Sequence, residues 1–132
     1  MRDPKPGLAW SRGRARRRQQ YDEYMRSPAW YRRRERWLQE YRTANGGKDP
    51  VCAVCAGPWT LRAGQLHHRS YERLGAEAWA DLLPICCGGE HAALDALMEK
   101  NPAWRMLPRE QATDAIVAYL RRKAAADRRT RQ

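Results

Sequence analysis

The sequence predicts a small α+β domain in which a metal-binding core is flanked by basic helices at both ends. All three histidines and all four cysteines lie between residues 52 and 91. The net charge is +8 over residues 1–44, −2 over residues 45–100 and +5 over residues 101–132. Helix-start signals and apolar residues at helical spacing lie in the flanks. This division predicts flanks that hold a polyanion and a centre that performs chemistry on it.

Length and composition limit the class of protein. A chain of 132 residues corresponds to one domain. The sequence contains no apolar run of about 18 residues that would predict a membrane span. The N-terminus lacks the apolar segment of a secretory signal. We therefore expect a cytoplasmic protein. In that reducing compartment, cysteines are metal ligands or free thiols more often than disulfides.

The net charge of +11 is carried mostly by arginine, because only four of the 26 basic residues are lysine. The planar guanidinium group suits phosphate and guanine recognition better than a point charge does. We therefore expect a polyanionic partner whose phosphates the guanidinium groups contact. The alternative is a soluble basic surface whose arginine content reflects a GC-rich genome.

The chain divides into four expected segments. Residues 1–10 are predicted to be disordered, and residues 11–47 to form a basic helical extension that binds DNA. Residues 48–100 are predicted to form the core. Residues 101–132 are predicted to form a C-terminal helix and a basic, frayed tail.

The helix-start signal of the N-terminal extension is Ser27 followed by Pro28, with "NGG" at 45–47 as its end. A preceding helix is expected from Ser11. The apolar stripe of the second helix comprises Trp30, Trp37, Leu38 and Tyr41. The arginines lying mostly off that stripe are assigned to DNA phosphates, the alternative being a solvated face: Arg32, Arg33, Arg34 and Arg36.

In the core, "PWTLRAGQLHH" predicts two short strands around a turn containing Gly64, and "LLPIC" predicts one more strand. The run "EHAALDALMEK" predicts a helix with Leu94, Leu97 and Met98 inward. Asn101–Pro102 repeats the helix-start signal, and a final helix is expected from about Pro108. Its predicted inward residues are Ala112, Ala115, Ile116, Tyr119 and Leu120.

The thiols predict a structural zinc site. Cys52 and Cys55 form a Cys-x-x-Cys turn, and Cys86 and Cys87 follow 31 residues later. Two such clusters favour a zinc knuckle over a redox pair, and a closed zinc site stabilises a short, loop-rich segment. Both adjacent cysteines bind, or Glu90 or a water supplies the fourth ligand. Buried free thiols are the alternative.

The histidines predict a second, open metal site. His67 and His68 are adjacent in a predicted strand, so their side chains point to opposite faces. This geometry suits one metal ligand and one general base. His91 begins the following helix, and Asp95 lies one turn later on the same face.

At these residues the chain resembles a known family. "CAVC…LHHRSYERLGAEAWADLLPIC…EHAALD" is similar to the HNH (ββα-metal) endonucleases in their cysteine-bearing, McrA-like form. "YMRSPAWYRRRERWL" resembles the lead-in helix of small HNH proteins from phages and bacteria, so the resemblance covers roughly residues 24–97. It implies a ββα-metal core and a DNA endonuclease in a bacterial cell or phage-infected host.

The resemblance also implies roles for single residues. His67 and His91 would be ligands of a catalytic divalent ion, with Asp95 where a further histidine often stands. His68 would be the general base. Asp81 stands where the middle asparagine of the family often lies and would brace the loop and the base. The chain departs from the family at its last thiolate position, which Glu90 occupies unless one residue is inserted after Cys86.

The implied reaction is hydrolysis of a phosphodiester to 5′-phosphate and 3′-hydroxyl ends, by nicking or double-strand cleavage. His68 would accept a proton from the attacking water, and Mg²⁺ or another divalent ion would neutralise charge on the phosphate. Arg69 and Arg73 are expected to grip phosphates, or else to pair with Glu72 or Glu77.

Two other functions stay open at this stage. One is a catalytically inactive, zinc-stabilised DNA-binding protein. The other is an RNA-binding or ribosome-associated basic protein. The sequence leaves the oligomeric state open between a monomer and a homodimer.

Overall fold

Over the described residues the fold is mixed: five α-helices, one short 3₁₀ helix (Trp79–Asp81) and a two-stranded antiparallel sheet. A computed structural model describes residues 14–86 and 89–130, with the side chains of all of these except residues 14 and 89–93. The elements in chain order are α1 (Arg14–Met25), α2 (Pro28–Ala44), β1 (Gly64–His68), β2 (Leu82–Cys86), α3 (Gly89–Lys100), α4 (Pro102–Arg105) and α5 (Arg109–Thr130). This confirms the small α+β class. The predicted disorder of residues 1–10 lies outside the described residues.

The sheet is a hairpin with a long connection. Strands β1 and β2 pair in a register that sets His67 opposite Leu83 and His68 opposite Leu82. Only one of the two strands predicted around Gly64 forms, because Thr60 begins a turn instead: its carbonyl accepts from the Gly64 amide at 2.7 Å, and its hydroxyl accepts from the Ala63 amide at 3.0 Å. The predicted strand "LLPIC" is β2.

Helix α2 begins as its sequence predicts. The Ser27 side chain accepts a hydrogen bond from the Trp30 amide at 3.2 Å, and Pro28 takes the first helical position. Its apolar stripe packs against the hairpin and the connecting loop. The buried residues of this first core are Tyr24, Trp30, Trp37, Leu38, Trp59, Leu66, Leu74 and Leu82.

Helix α5 closes a second core on the cysteine side of the hairpin. The buried residues of this core are Cys52, Val54, Ile85, Leu94, Ile116, Val117 and Leu120. The predicted inward set of α5 needs two corrections. Ala115 is half-buried and Tyr119 is exposed, whereas Thr113 and Val117 are buried. The predicted frayed tail is helical to Thr130, because residues 124–126 are alanine, the strongest helix former.

Within residues 14–86 and 89–130, no helix is both long enough and apolar enough to cross a membrane.

Candidate functional site

Three cysteines form a cluster that can hold a metal ion. The Sγ atoms of Cys52, Cys55 and Cys86 all lie within 4.8 Å of one another, and those of Cys55 and Cys86 are 3.8 Å apart. Thiolates around a tetrahedral zinc, with bonds of about 2.3 Å, are separated by about 3.8 Å. The spacing and the soft donor atoms therefore suit zinc.

The backbone of the Cys-x-x-Cys turn points amides at sulfur. The Val54 amide donates to Cys52 Sγ at 3.4 Å, and Ala56 adopts the left-handed conformation (φ 62°) that bends the chain after Cys55. Burial opposes ionisation of Cys52, but backbone hydrogen bonds lower the pKa of its thiol below the ordinary value. The turn is joined to β2 where the Ala53 amide donates to the Pro84 carbonyl at 2.8 Å. Cys86 follows two residues later at the end of that strand.

The fourth ligand of the cluster lies beyond what the structure describes. Cys87 itself and the side chains of Glu90 and His91 lie outside the described residues. The choice among two adjacent cysteines, Glu90 and a water therefore stays as the sequence left it.

A buried carboxylate, that of Glu77, contacts one ring nitrogen of His68. Its Nε2 lies 2.8 Å from Oε2 of Glu77, and the Tyr24 hydroxyl donates to Oε1 of Glu77 at 2.8 Å. Burial disfavours the charged carboxylate, but the hydrogen bonds from His68 and Tyr24 lower the pKa of Glu77 below its usual range. Arg33 fixes the loop itself, because its Nε donates to the Glu77 carbonyl at 3.1 Å.

This arrangement selects one tautomer of His68. An ionised Glu77 can only accept a hydrogen bond, so Nε2 carries the proton and Nδ1 is the basic atom. Among the described residues, no group hydrogen bonds Nδ1, which is buried. The ring is stacked on Trp30 at 5.0 Å between centroids and is flanked by Tyr21 and Tyr71.

His67 points to the other side of the hairpin, as alternation along a strand requires. Its Nε2 lies 3.1 Å from the Thr113 hydroxyl of α5, and its Nδ1 lies 3.7 Å from Oδ1 of Asp95 of α3. A hydrogen bond from Nε2 is the usual way to orient an imidazole whose Nδ1 binds a metal. His67 and Asp95 thus form a nitrogen–oxygen pair that suits a divalent ion.

Arg109 sits between the two histidines. Its Nε donates to the His68 carbonyl at 2.7 Å, and its guanidinium lies over the Tyr71 ring at 4.3 Å. One terminal nitrogen is 3.4 Å from Asp95 Oδ1 and 3.5 Å from His67 Nε2. These contacts fix a positive charge beside the His67 imidazole and the backbone of His68.

The two histidines share one cavity of about 360 Å³. His67, His68 and Asp95 line it together with three arginines, namely Arg34, Arg62 and Arg109. An anionic substrate entering this cavity would meet three positive charges.

Three of the arginines assigned to phosphate are engaged inside the protein. Arg33 is buried, so it is not available to DNA. Arg73 pairs with Asp81, and Arg69 pairs with Asp114 at 2.9 Å. Ion pairing was the expected alternative for these two, but the partners differ from Glu72 and Glu77. The other three predicted arginines divide as follows: Arg34 is half-buried and donates to backbone carbonyls, while Arg32 and Arg36 are exposed.

Asp81 closes the loop that carries Glu77. Its carboxylate accepts from Arg73 Nε at 2.7 Å and from the Ala78 amide at 2.8 Å. Burial raises the pKa of Asp81, but these bonds lower it further, so it falls below the ordinary value. The carboxylate that contacts the His68 ring is that of Glu77 rather than Asp81.

Sequence reasoning missed Glu77 and Arg109. Glu77 stands nine residues after His68 in "LHHRSYERLGAE", and no role beyond a surface ion pair was predicted for it. Arg109 carries no comparable signal, because it is one arginine among many in a basic flank. Its role depends on how α5 packs against the hairpin.

Comparison with known proteins found no matching family model, no matching curated protein and no matching solved structure.

Proposed function

We propose that the protein is a metal-dependent DNA endonuclease of the HNH type, which hydrolyses phosphodiesters to 5′-phosphate and 3′-hydroxyl ends. One observation carries the proposal: the Glu77 carboxylate lies 2.8 Å from Nε2 of His68, and His68 lines the same cavity as His67 and Asp95. Among the described residues, nothing hydrogen bonds the other ring nitrogen of His68, Nδ1, and this supports its role as the base.

In this proposal His68 Nδ1 takes the proton of the attacking water. Glu77 stabilises the imidazolium that forms, because the carboxylate already accepts the Nε2 proton at 2.8 Å. General-base catalysis of this kind contributes about 10²- to 10⁴-fold. The Tyr24 hydroxyl keeps the carboxylate in place, and burial raises the pKa of Tyr24, so that it remains a donor.

The catalytic cation would be held by His67 and Asp95, with His91 as the third protein ligand. Mg²⁺ or another divalent ion supplies neutralisation of the charge that builds on the phosphoryl oxygens. Thr113 orients His67 for this role through its 3.1 Å contact with Nε2.

The DNA phosphate would be gripped by Arg109, with Arg34 and Arg62 at the rim of the same cavity. Arg109 is suited to this because Tyr71 and the His68 carbonyl hold its side chain in place. A pre-oriented guanidinium loses little conformational entropy when it binds an oxyanion.

The thiol cluster would hold a structural zinc through Cys52, Cys55 and Cys86, with Cys87 or Glu90 completing the set. The cluster ties the Cys-x-x-Cys turn to the end of β2, so the zinc would fix the strand that pairs with β1. The zinc would hold His67 and His68 in position through the strand pairing, but it would take no part in the reaction.

A second candidate function is that of a zinc-stabilised DNA-binding protein without cleavage activity. The observation that favours it is burial: His67 and His68 are 1% and 2% exposed. In that case the arginines alone would serve the DNA.

Supercoiled plasmid separates the two functions. We expect the wild-type protein to convert it to nicked or linear DNA with Mg²⁺ and to leave it intact when Mg²⁺ is omitted. The cleaved ends should be ligatable without phosphatase or kinase treatment. A protein that retards the plasmid on a gel but leaves it supercoiled with Mg²⁺, Mn²⁺ and Co²⁺ would support the binding function and contradict the nuclease.

A further inference from the structure

A second and larger cleft lies on the side of the hairpin that carries the thiol cluster. Its volume is about 750 Å³, and none of its lining residues lines the histidine cavity. We name it the knuckle cleft. Strand β2, through Leu83 and Pro84, and the turn residue Ala53 contribute to its lining.

One wall of the knuckle cleft is aromatic. The Trp79 side chain is 41% exposed, although most other tryptophans in the described chain are buried. Its nearest ring is that of Tyr41, at 6.4 Å between centroids. An exposed indole in a concave site offers a face on which a planar group can stack.

The knuckle cleft is also lined by cationic side chains. Arg121 and Arg128 of α5 both line the cleft. Their seven-residue spacing places them on one face of the helix, about 10 Å apart. The Arg121 Nε donates to the Ala53 carbonyl at 2.5 Å, which anchors that side chain at the edge of the cleft. Arg69 also lines the cleft, but Asp114 neutralises it.

We propose that the knuckle cleft binds an unpaired nucleic-acid strand, with one base stacked on Trp79 and the neighbouring phosphates on Arg121 and Arg128. Aromatic faces beside a positively charged groove are the common device for binding single strands without sequence preference. A paired base has both faces covered by its neighbours in the stack, so the Trp79 face is useful for an unpaired base. The proposal does not depend on cleavage at the histidine cavity.

The test is fluorescence anisotropy with labelled dT12, rU12 and a 12-base-pair duplex, without added Mg²⁺. The variants are Trp79→Leu, which keeps an apolar side chain but removes the aromatic face, and Arg121→Gln/Arg128→Gln. The matched control is Arg122→Gln/Arg129→Gln, which removes the same charge at the same spacing from exposed neighbouring positions of α5. Thermal melting of each variant checks that the fold is kept.

We expect Trp79→Leu to weaken binding of dT12 or rU12 by about tenfold, to leave duplex binding unchanged, and to be rescued by Trp79→Phe. The strand with the larger loss identifies the nucleic acid as DNA or RNA. Arg121→Gln/Arg128→Gln should weaken strand binding more than its control does. It should also reduce the slope of log affinity against log salt by about 1.4, the value for two phosphates of a single strand.

Two results would overturn the proposal. One is a Trp79→Leu protein that binds both single strands as the wild type does. The other is an equal loss for the two arginine pairs, which would assign strand binding to the total charge of the protein. Because cleavage is not measured, neither result bears on the proposed nuclease.

Discussion

Glu77 is the residue at which three elements of the fold meet. Its carboxylate contacts His68 of β1 and Tyr24 of α1, and its carbonyl accepts from Arg33 of α2. The Glu77 residue is 5% exposed, and its buried carboxylate is stabilised by the contacts with His68 and Tyr24. Glu77 therefore links the stability of the fold to the state of the His68 imidazole.

This linkage predicts that the free energy of unfolding depends on pH in the acidic range. The pKa of Glu77 is lowered in the folded protein, so its stabilising contribution is fully present above the ordinary glutamate pKa of about 4.3. The contribution is lost as the pH falls through the lower, folded value. We expect the melting temperature of Glu77→Gln to fall less steeply than that of the wild type below about pH 4.3.

Calorimetry between neutral pH and about pH 3 measures this slope, and exposed Glu72→Gln is the control. The control should melt as the wild type does at every pH. A Glu77→Gln protein with the wild-type slope would contradict the ionised, buried carboxylate.

The position of a side chain could be predicted from the sequence only where local spacing along the chain determines it. His67 and His68 alternate across a strand because adjacent residues always do. Glu77 and Arg109 reach the histidines only through the closure of a loop and the packing of α5. Arg33 shows the same limit: its sequence neighbours are also arginines, and only the fold makes it the buried one.

At the level of elements, β1 begins where Gly64 meets Trp59. A Cβ atom placed on Gly64 would lie 2.1 Å from Trp59 Nε1, and that nitrogen donates to the Gln65 carbonyl at 2.9 Å. Trp59 is buried in the first core, so it has little room to move. The glycine is required by this close approach.

We therefore expect Gly64→Ala to lower the free energy of unfolding by about 1–3 kcal/mol, the usual cost of overpacking. Urea denaturation measures it, with the exposed neighbour Gln65→Ala as the control. If Gly64→Ala unfolds at the same urea concentration as the control, Trp59 is not fixed against β1.

The thiol cluster joins the Cys-x-x-Cys turn to β2, so the metal content should affect how these two elements are held together. Wild-type protein should contain about one zinc per chain, and Cys55→Ser should lose it. Loss should lower the melting temperature markedly, because structural zinc contributes on the order of 10 kcal/mol to folding. Plasma mass spectrometry gives the zinc content.

The same measurement assigns the fourth ligand. Cys87→Ser and Glu90→Gln are compared with the wild type for zinc retention in the presence of a chelator. The variant that loses zinc faster identifies the ligand, and wild-type retention by both assigns the position to water. Wild-type protein purified with no zinc and melting as Cys55→Ser does would contradict a structural metal site.

The elements themselves were largely predictable from local signals. Ser27–Pro28 and Asn101–Pro102 begin helices α2 and α4, and "LLPIC" is β2. The segment before Gly64 was wrongly predicted as a strand from its loose alternation of apolar and polar residues. Thr60 instead caps a turn there with its own hydroxyl.

At the scale of the whole molecule, the hairpin stands between two cores. The α1–α2 core lies on the side of His68, and the core of α3, α5 and the cysteine turn lies on the side of His67. The N-terminal helices were predicted as a DNA-binding extension. Through Tyr21, Tyr24 and Trp30 they also build the wall around His68.

The sequence did not predict that one core lies on the side of His68 and the other on the side of His67. The charge pattern indicated that the flanks are basic, and their exposed arginines are consistent with that. Periodicity cannot tell which apolar residues of α1 and α2 face a histidine and which face a neighbouring helix, because both are buried in the same way.

The central claim is that His68, oriented by Glu77, is the base of a metal-dependent cleavage. Its most direct test is single-turnover cleavage of a labelled DNA duplex with Mg²⁺ by wild type and by His68→Ala. The zinc content and the melting temperature of His68→Ala are measured first, to check that the variant keeps its metal and its fold. We predict a rate lower by about 10²- to 10⁴-fold for the variant, partly restored by added imidazole. Equal cleavage by the two proteins, or an intact duplex with the wild type, would contradict it.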